Sequence, residues 1–145
     1  EITLALPEGA IDATVEITAC DRQSDRHLQL EPRPATGLRL DRHSFKEYGT
    51  HSVEIECVFP ENFDFFAIDV LPEGVVETAA TLTTLSFTRD RPVRQWTWFA
   101  DSPFQPGYRY RQHAHPGESP RAWSSLQSAF ERLMIPVSVV QEVKR

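Results

Sequence analysis

The sequence predicts an all-β fold, built from two tandem copies of a small antiparallel β-sandwich with one short amphipathic helix near the C-terminus. Three observations lead to this fold class. Apolar and polar residues alternate in most segments of the 145-residue chain. Prolines and glycines interrupt these segments at short intervals, and several stretches recur later in the chain in the same order.

The alternating segments predict strands that bury one face and leave the other in water, because successive side chains of a strand point to opposite faces. Glu54 and Glu56, for example, alternate with Val53, Ile55 and Cys57, so both glutamates are expected on the wet face. The same pattern occurs at 14–18, 27–30, 38–40, 96–98 and 108–110. Roughly ten such strands separated by turn-forming residues favour an antiparallel sandwich over a parallel α/β sheet.

The repeat is carried by short matching stretches. The sequence LPEG at 6–9 returns at 71–74, the stretch 26–30 matches 94–98, and the stretch 37–40 matches 107–110. We therefore place a first copy at 1–60 and a second copy at 61–145, with a strand near 52–59 that suits either copy. Copies of this size lie near the lower limit for a self-sufficient core, so the two are expected to share a core or to pack together.

One segment of the second copy has helical periodicity instead. Ser119 and Pro120 match a helix cap followed by proline in the first turn. Apolar residues then recur on one helical face, at Trp123, Leu126, Phe130, Leu133 and Met134. This spacing predicts a helix at about 120–133, followed by a strand near 135–140 in which Pro136 marks a sheet edge or a strand start.

The alternating strands, and the strand that carries Gly107, Tyr108 and Tyr110, resemble those of immunoglobulin-like and fibronectin type III sandwiches. The resemblance covers architecture only, because such sandwiches share a fold without sharing sequence. It allows an inter-sheet disulfide between Cys20 and Cys57. Apolar residues at the matching positions of the second copy favour two small buried side chains instead.

Composition bounds the function. A formal net charge of −6 gives the chain no general attraction to nucleic acid or to anionic membranes. No apolar run reaches the ~18–20 residues of a membrane span. No phosphate-binding loop or nucleophile elbow appears, and we expect no cofactor.

Thirteen arginines against two lysines suggest a bacterial source, and a start at Glu1 within a strand-like run suggests a piece of a longer, secreted or surface-associated protein.

Aromatic residues concentrate in the second copy and have two interpretations. Sugar rings stack on exposed aromatic faces, so Trp96, Trp98 and Tyr108 would form the platform of a carbohydrate-binding module. All three positions match leucines of the first copy, however, and positions that are apolar in both copies are most simply core positions. A carbohydrate-binding module is therefore the first alternative function.

His113 and His115 lie two residues apart, so their imidazoles share one face of an extended segment. With one or two further ligands this spacing would hold a metal ion, and Asp101 or Glu118 could supply a third ligand. The competing interpretation is a pair of solvent-facing histidines beside a Pro-Gly turn. A metal-dependent enzyme around the pair is the second alternative, and no residue is assigned as a metal ligand.

The function that we favour is a non-catalytic structural or interaction module that mediates assembly or partner binding. Its partner would be another protein or another domain of the same parent chain, bound through a sheet face or an exposed edge strand. Trp123 and Phe130 are the expected contact residues, because neither has a clear counterpart in the first copy. Features that differ between copies are where function can diverge from shared packing.

Overall fold

The fold is all-β. The structure is a computed structural model that describes residues 14–34 and 38–138, so the strand-like run at 1–6 and the first LPEG stretch lie outside the described residues. The described strands are β1 Thr14–Cys20, β2 His27–Pro34, β3 Gly49–Val58, β4 Phe65–Pro72, β5 Thr83–Thr88, β6 Val93–Ala100, β7 Tyr108–Gln112 and β8 Leu133–Pro136.

The strands form three small sheets. β1 and β2 pair with each other, β3 lies between β6 and β8, and β4 lies between β5 and β7. We call the latter two the β3 sheet and the β4 sheet. Four of the five strand pairings described are antiparallel, but β3 and β8 run parallel. The expectation of purely antiparallel pairing is therefore wrong for this pair. A long connection separates the two strands, and parallel pairing requires a crossover of this kind.

One hydrophobic core joins the β3 sheet to the β4 sheet. β3 contributes alternate residues to it, including Val53 and Ile55, while Glu54 and Glu56 point away, as the alternation predicts. β4 contributes Ile68. The remaining fully buried large side chains of this core are Cys57, Val70, Phe87 and Tyr108. The core therefore depends on residues from both predicted copies.

The sheet topology crosses the predicted boundary at residue 60. β3 pairs with β6 through residues 49–56 on one side and with β8 through residues 55–58 on the other. The stretch at 38–40 forms no strand, although its match at 108–110 lies in β7. The division into copies at 1–60 and 61–145 stays a prediction.

The predicted helix at 120–133 is wrong. Within the described residues the sole helical element is a three-residue 3-10 turn, Arg42–Ser44, and no helix has the length and apolar character to cross a membrane. Gln127 instead pairs with Tyr108, where each backbone N–H donates to the other's carbonyl over 2.7 and 3.3 Å. Ser124 N–H donates to the carbonyl of Tyr110 over 2.7 Å. Residues 124–127 thus provide hydrogen-bond partners for backbone groups at the free edge of β7. These hydrogen bonds outweigh the local preference of the segment for helix.

The two cysteines are free thiols. Cys20 is exposed at the end of β1, whereas Cys57 is buried in the core of the β3 sheet. Burial, with a smaller contribution from the charge of Glu56, raises the pKa of the Cys57 thiol to about 12. Cys57 is therefore a small apolar core side chain, and the disulfide allowed by the sandwich resemblance is absent.

Candidate functional site

The outer face of the β4 sheet carries a buried carboxylate. Ile68 and Val70 point into the core, so Asp69 between them points to the opposite face. Its strand partners are Thr84 in β5 and Arg111 in β7, which places three polar side chains in one row across the sheet. These neighbours leave Asp69 only 3% exposed.

Each oxygen of the Asp69 carboxylate accepts hydrogen bonds. Thr84 Oγ1 donates to Oδ1 over 2.8 Å, Arg111 Nε donates to Oδ2 over 3.0 Å, and His113 Nδ1 lies 2.8 Å from Oδ1. Burial alone would raise the pKa of Asp69. The hydrogen bonds from Thr84, Arg111 and His113, together with the charge of His113, outweigh burial and hold the pKa below its ordinary value. Asp69 is therefore an ionised, fully engaged anchor.

Arg111 extends this network to Trp123. Its guanidinium also pairs with Glu77, and its side chain is only 10% exposed. The guanidinium carbon lies 4.2 Å from the centre of the Trp123 ring, which is a cation–π contact. Trp123, one of the two expected partner-binding residues, is thus partly buried and tied to its own chain.

A groove of about 380 Å³ runs beside this network on the outer face of the β4 sheet. Its lining includes Ala67 of β4, Ser86 of β5, and His113 and His115 at the end of β7. Phe65, which is 56% exposed, contributes an aromatic wall. The groove therefore combines a small central residue with polar side chains on both flanking strands.

The two histidines of the groove are held differently. His113 is fixed through Nδ1 by Asp69, whereas the ring of His115 makes no hydrogen bond with the described residues. Glu118 accepts a hydrogen bond from the backbone N–H of His115 over 3.4 Å. Within residues 14–34 and 38–138, no group of three or more His, Cys, Asp or Glu side chains is placed to hold a metal ion. Neither Asp101 nor Glu118 therefore completes such a group.

A second candidate surface lies where the loop at 42–48 meets the β3 sheet. We call it the aromatic rim and define it as Tyr48, Phe99, Phe130, Arg42 and Lys46. Phe99 and Phe130 are each 53% exposed. Both phenylalanine side chains are therefore more than half exposed. Tyr48 is partly buried and lies in the same loop as the two cationic side chains.

Ring contacts hold the aromatic rim in place. Tyr48 meets Phe99 edge-to-face with ring centres 5.4 Å apart, and Phe130 meets the buried His51 in the same way over 5.4 Å. The Lys46 ammonium lies 5.1 Å from the centre of the Phe130 ring, and Arg42 lies 5.7 Å from that of Tyr48. Such contacts fix the rings while leaving their outer surfaces in water.

The proposed carbohydrate platform lies inside the core. Trp96 and Trp98 stack with ring centres 4.3 Å apart, and both meet Tyr108 edge-on. Their exposures are 6%, 7% and 0%. Trp98 Nε1 donates to the carbonyl of Pro106 over 3.3 Å. Buried rings of this kind offer no face to a sugar, which agrees with the interpretation of these positions as core.

Sequence reasoning missed the Asp69 network and most of the aromatic rim. A charged residue inside the apolar run at 65–71 was the available signal for Asp69, because a buried strand tolerates a carboxylate only when the carboxylate is paired. Phe99 alternates with Trp98 and Ala100, which places it on the outer face. Protein-family models, curated proteins and solved structures yield no match to this chain. Function is therefore inferred from the side chains themselves.

Proposed function

We propose that this chain is a non-catalytic module that mediates assembly or partner binding, and that the aromatic rim is its contact surface. The observation that carries the proposal is the pair Phe99 and Phe130, which are both more than half exposed and both fixed by ring contacts. Exposed apolar side chains that are held in place are candidate contact residues of an interaction site. Aromatic and arginine side chains are also the usual anchors of protein interfaces.

The charges of the aromatic rim indicate the chemistry of the partner. Arg42 and Lys46 stand over two of its rings, although the chain as a whole has a net charge of −6. A partner surface that pairs carboxylates with an apolar side chain complements this arrangement. The remaining surface of a second copy carries the excess of acidic groups, so another copy of this chain is one such partner, joined head to tail.

The fold that we propose for this role is a β-sandwich. The β3 sheet and the β4 sheet contribute to one core, and this common core supports face-to-face packing of the two sheets. Descent of the module from two immunoglobulin-like copies belongs to the same proposal, supported by the matching stretches of the sequence. A packed sandwich presents the aromatic rim on a rigid scaffold, which lowers the entropic cost of binding.

Phe130 keeps its expected role as a contact residue in this proposal, and Trp123 does not. Phe130 lies in the aromatic rim beside Lys46. Trp123 contacts Arg111 in the Asp69 network. Phe99 takes the place of Trp123 as the second apolar anchor, because it is exposed on the β3 sheet.

Sedimentation velocity over a range of protein concentrations tests the proposal. The wild-type chain is expected to self-associate, and the F99S/F130S variant to self-associate at least about 30-fold more weakly, since the loss of even one anchor residue costs about 2 kcal/mol. The F65S variant is the matched control, because Phe65 is 56% exposed on the other sheet. Each variant is first shown to unfold at the wild-type urea concentration.

A second measurement covers partners other than a second copy. A synthetic peptide with glutamates around a central phenylalanine is titrated against the wild-type protein and followed by fluorescence anisotropy. Binding that weakens with added salt and is lost in the K46E variant supports the proposal. A wild-type chain that stays monomeric and does not bind the peptide would contradict it, as would association that survives loss of both phenylalanines.

A further inference from the structure

We propose that the groove on the outer face of the β4 sheet is a binding site for a divalent transition-metal ion, held by His113 through Nε2 and by His115. The site is independent of the proposed partner binding, since it lies on the other sheet from the aromatic rim. It gives a specific role to two histidines that the interaction module does not need.

Asp69 fixes the tautomer of His113. An ionised carboxylate can only accept hydrogen bonds, so the ring nitrogen that lies 2.8 Å from Asp69 Oδ1 carries the hydrogen. In the neutral form of the ring the lone pair is then on Nε2, which is the other nitrogen of a ring that lines the groove. Histidines that bind metals almost always donate their second ring N–H to a carboxylate or carbonyl in this way.

His115 supplies the second imidazole. It follows His113 by two residues, and both residues line the groove. Its ring makes no hydrogen bond with the described residues, which leaves both nitrogens available. A pair of neutral imidazoles is the ligand set that zinc, nickel and copper ions prefer.

Charges near the site favour a cation on the side of the histidines. Asp69 lies behind His113, and Glu77 pairs with Arg111 on the same network, which gives two carboxylates against one guanidinium. Arg94 donates to the carbonyl of Ser86 over 3.2 Å, and so lies at β5, which β4 separates from β7. A metal on His113 and His115 therefore has Asp69 hydrogen-bonded to one of its ligands, while Arg94 lies at the opposite, β5 side of the groove.

The site has two protein ligands, and in the described part of the chain no larger group of His, Cys, Asp or Glu is placed to hold a metal ion. Its remaining coordination positions belong to water or to a donor atom from a bound partner, as in metal sites that keep open positions. Imidazole ligands predict an affinity order of copper above nickel and zinc, with cobalt weaker. Magnesium and calcium require oxygen ligands, so neither is expected to bind.

Isothermal titration calorimetry of the full chain with Zn²⁺, and separately with Cu²⁺, tests the proposal. One metal per chain is expected. The H115A variant should lose this binding, and it should fold normally, because His115 is exposed. The H113A variant should lose it as well. The H27A variant, which changes another exposed histidine on β2, is the control and should bind as the wild type does.

The D69N variant tests the positioning role of Asp69. Loss of a carboxylate that orients a ligating histidine weakens metal binding by about 10–100-fold. Nitrogen NMR of the imidazole of His113 should show hydrogen on Nδ1 in the wild type and a mixture of tautomers in D69N. A change in stability alone would not alter this tautomer ratio. Absence of saturable binding of either metal would overturn the proposal, and so would binding that persists in the H113A/H115A variant.

Discussion

Asp69 is the residue on which the outer face of the β4 sheet depends. The D69A variant removes a carboxylate that is 3% exposed and leaves Arg111 paired only with Glu77. Breaking a buried ion pair from one side costs about 3–5 kcal/mol. We expect the lower end of that range, because Arg111 keeps one partner. Urea denaturation of the full chain measures the loss in the free energy of unfolding.

The matched control is the D64A variant. Asp64 also accepts a hydrogen bond from an arginine, Arg89, but its side chain is 88% exposed. Exposed pairs contribute about 0–1 kcal/mol, so D64A should unfold near the wild-type urea concentration. Equal losses in D69A and D64A would show that Asp69 is not the structural anchor described above.

For single residues, the sequence predicts well which face of a strand a side chain lies on. It predicts poorly which other side chains that residue contacts. Alternation places Glu54 and Glu56 outside and Val53 inside, as found. Asp69, by contrast, meets Arg111 and His113 because β4 and β7 pair in one particular register. Register depends on packing between strands that are far apart in the chain, and the local pattern does not contain that information.

The segment at 120–133 shows how an element can follow its neighbours rather than its own periodicity. Its apolar spacing is that of an amphipathic helix, but Ala129 is buried in the core while Phe130 is exposed on the aromatic rim. Leu133 and Met134 belong to β8. The backbone groups of β7 that lack a strand on one side need hydrogen-bond partners, and residues 124–127 provide them. The helical spacing of the apolar residues is therefore coincidental, because these residues lie in the core, at an exposed position and in a strand rather than on one helical face.

Gly107 controls how closely this segment approaches β7. A Cβ atom at Gly107 would lie 2.7 Å from the carbonyl oxygen of Gln127 and 3.2 Å from Cγ of Leu126. The G107A variant must therefore push residues 126–127 away from β7, and overpacking of this kind costs about 1–3 kcal/mol. We expect a lower urea midpoint and faster amide hydrogen exchange at Gln127.

The control for this prediction is S125A, which changes an exposed side chain of the same segment. It should leave both the urea midpoint and the exchange rate at Gln127 close to their wild-type values, because most surface substitutions alter stability by less than about 0.5 kcal/mol. A G107A variant with wild-type exchange at Gln127 would contradict the close approach of residues 126–127 to Gly107.

At the scale of the whole molecule, the sequence predicts the all-β class. It does not predict the order of the strands within each sheet. Alternation and turn residues identify most of the strands, including β3, β6 and β7. That β3 inserts between β6 and β8 depends on pairings over long distances in the chain. The apolar character of Trp96 and Ile135 shows that they are buried, but not that they are buried against the same strand.

This topology makes a prediction about fragments. A fragment of residues 61–145 lacks β3, the strand to which β6 and β8 both pair. It also loses Val53, Ile55 and Cys57 from the core. We expect it to show no cooperative urea transition. A fragment of residues 38–145 keeps β3 and drops β1 and β2, whose buried Ile17 and Leu30 lie outside the main core cluster. This fragment should unfold cooperatively.

The two fragments separate two histories of the chain. If the copies at 1–60 and 61–145 are independent units, the shorter fragment folds alone and the extra residues at 38–60 add little to its stability. If the β3 sheet is the unit of folding, only the longer fragment folds. We expect the second outcome, because the shorter fragment lacks three buried side chains of β3. A domain is stabilised by only about 5–15 kcal/mol, and three buried side chains contribute a large share of that total.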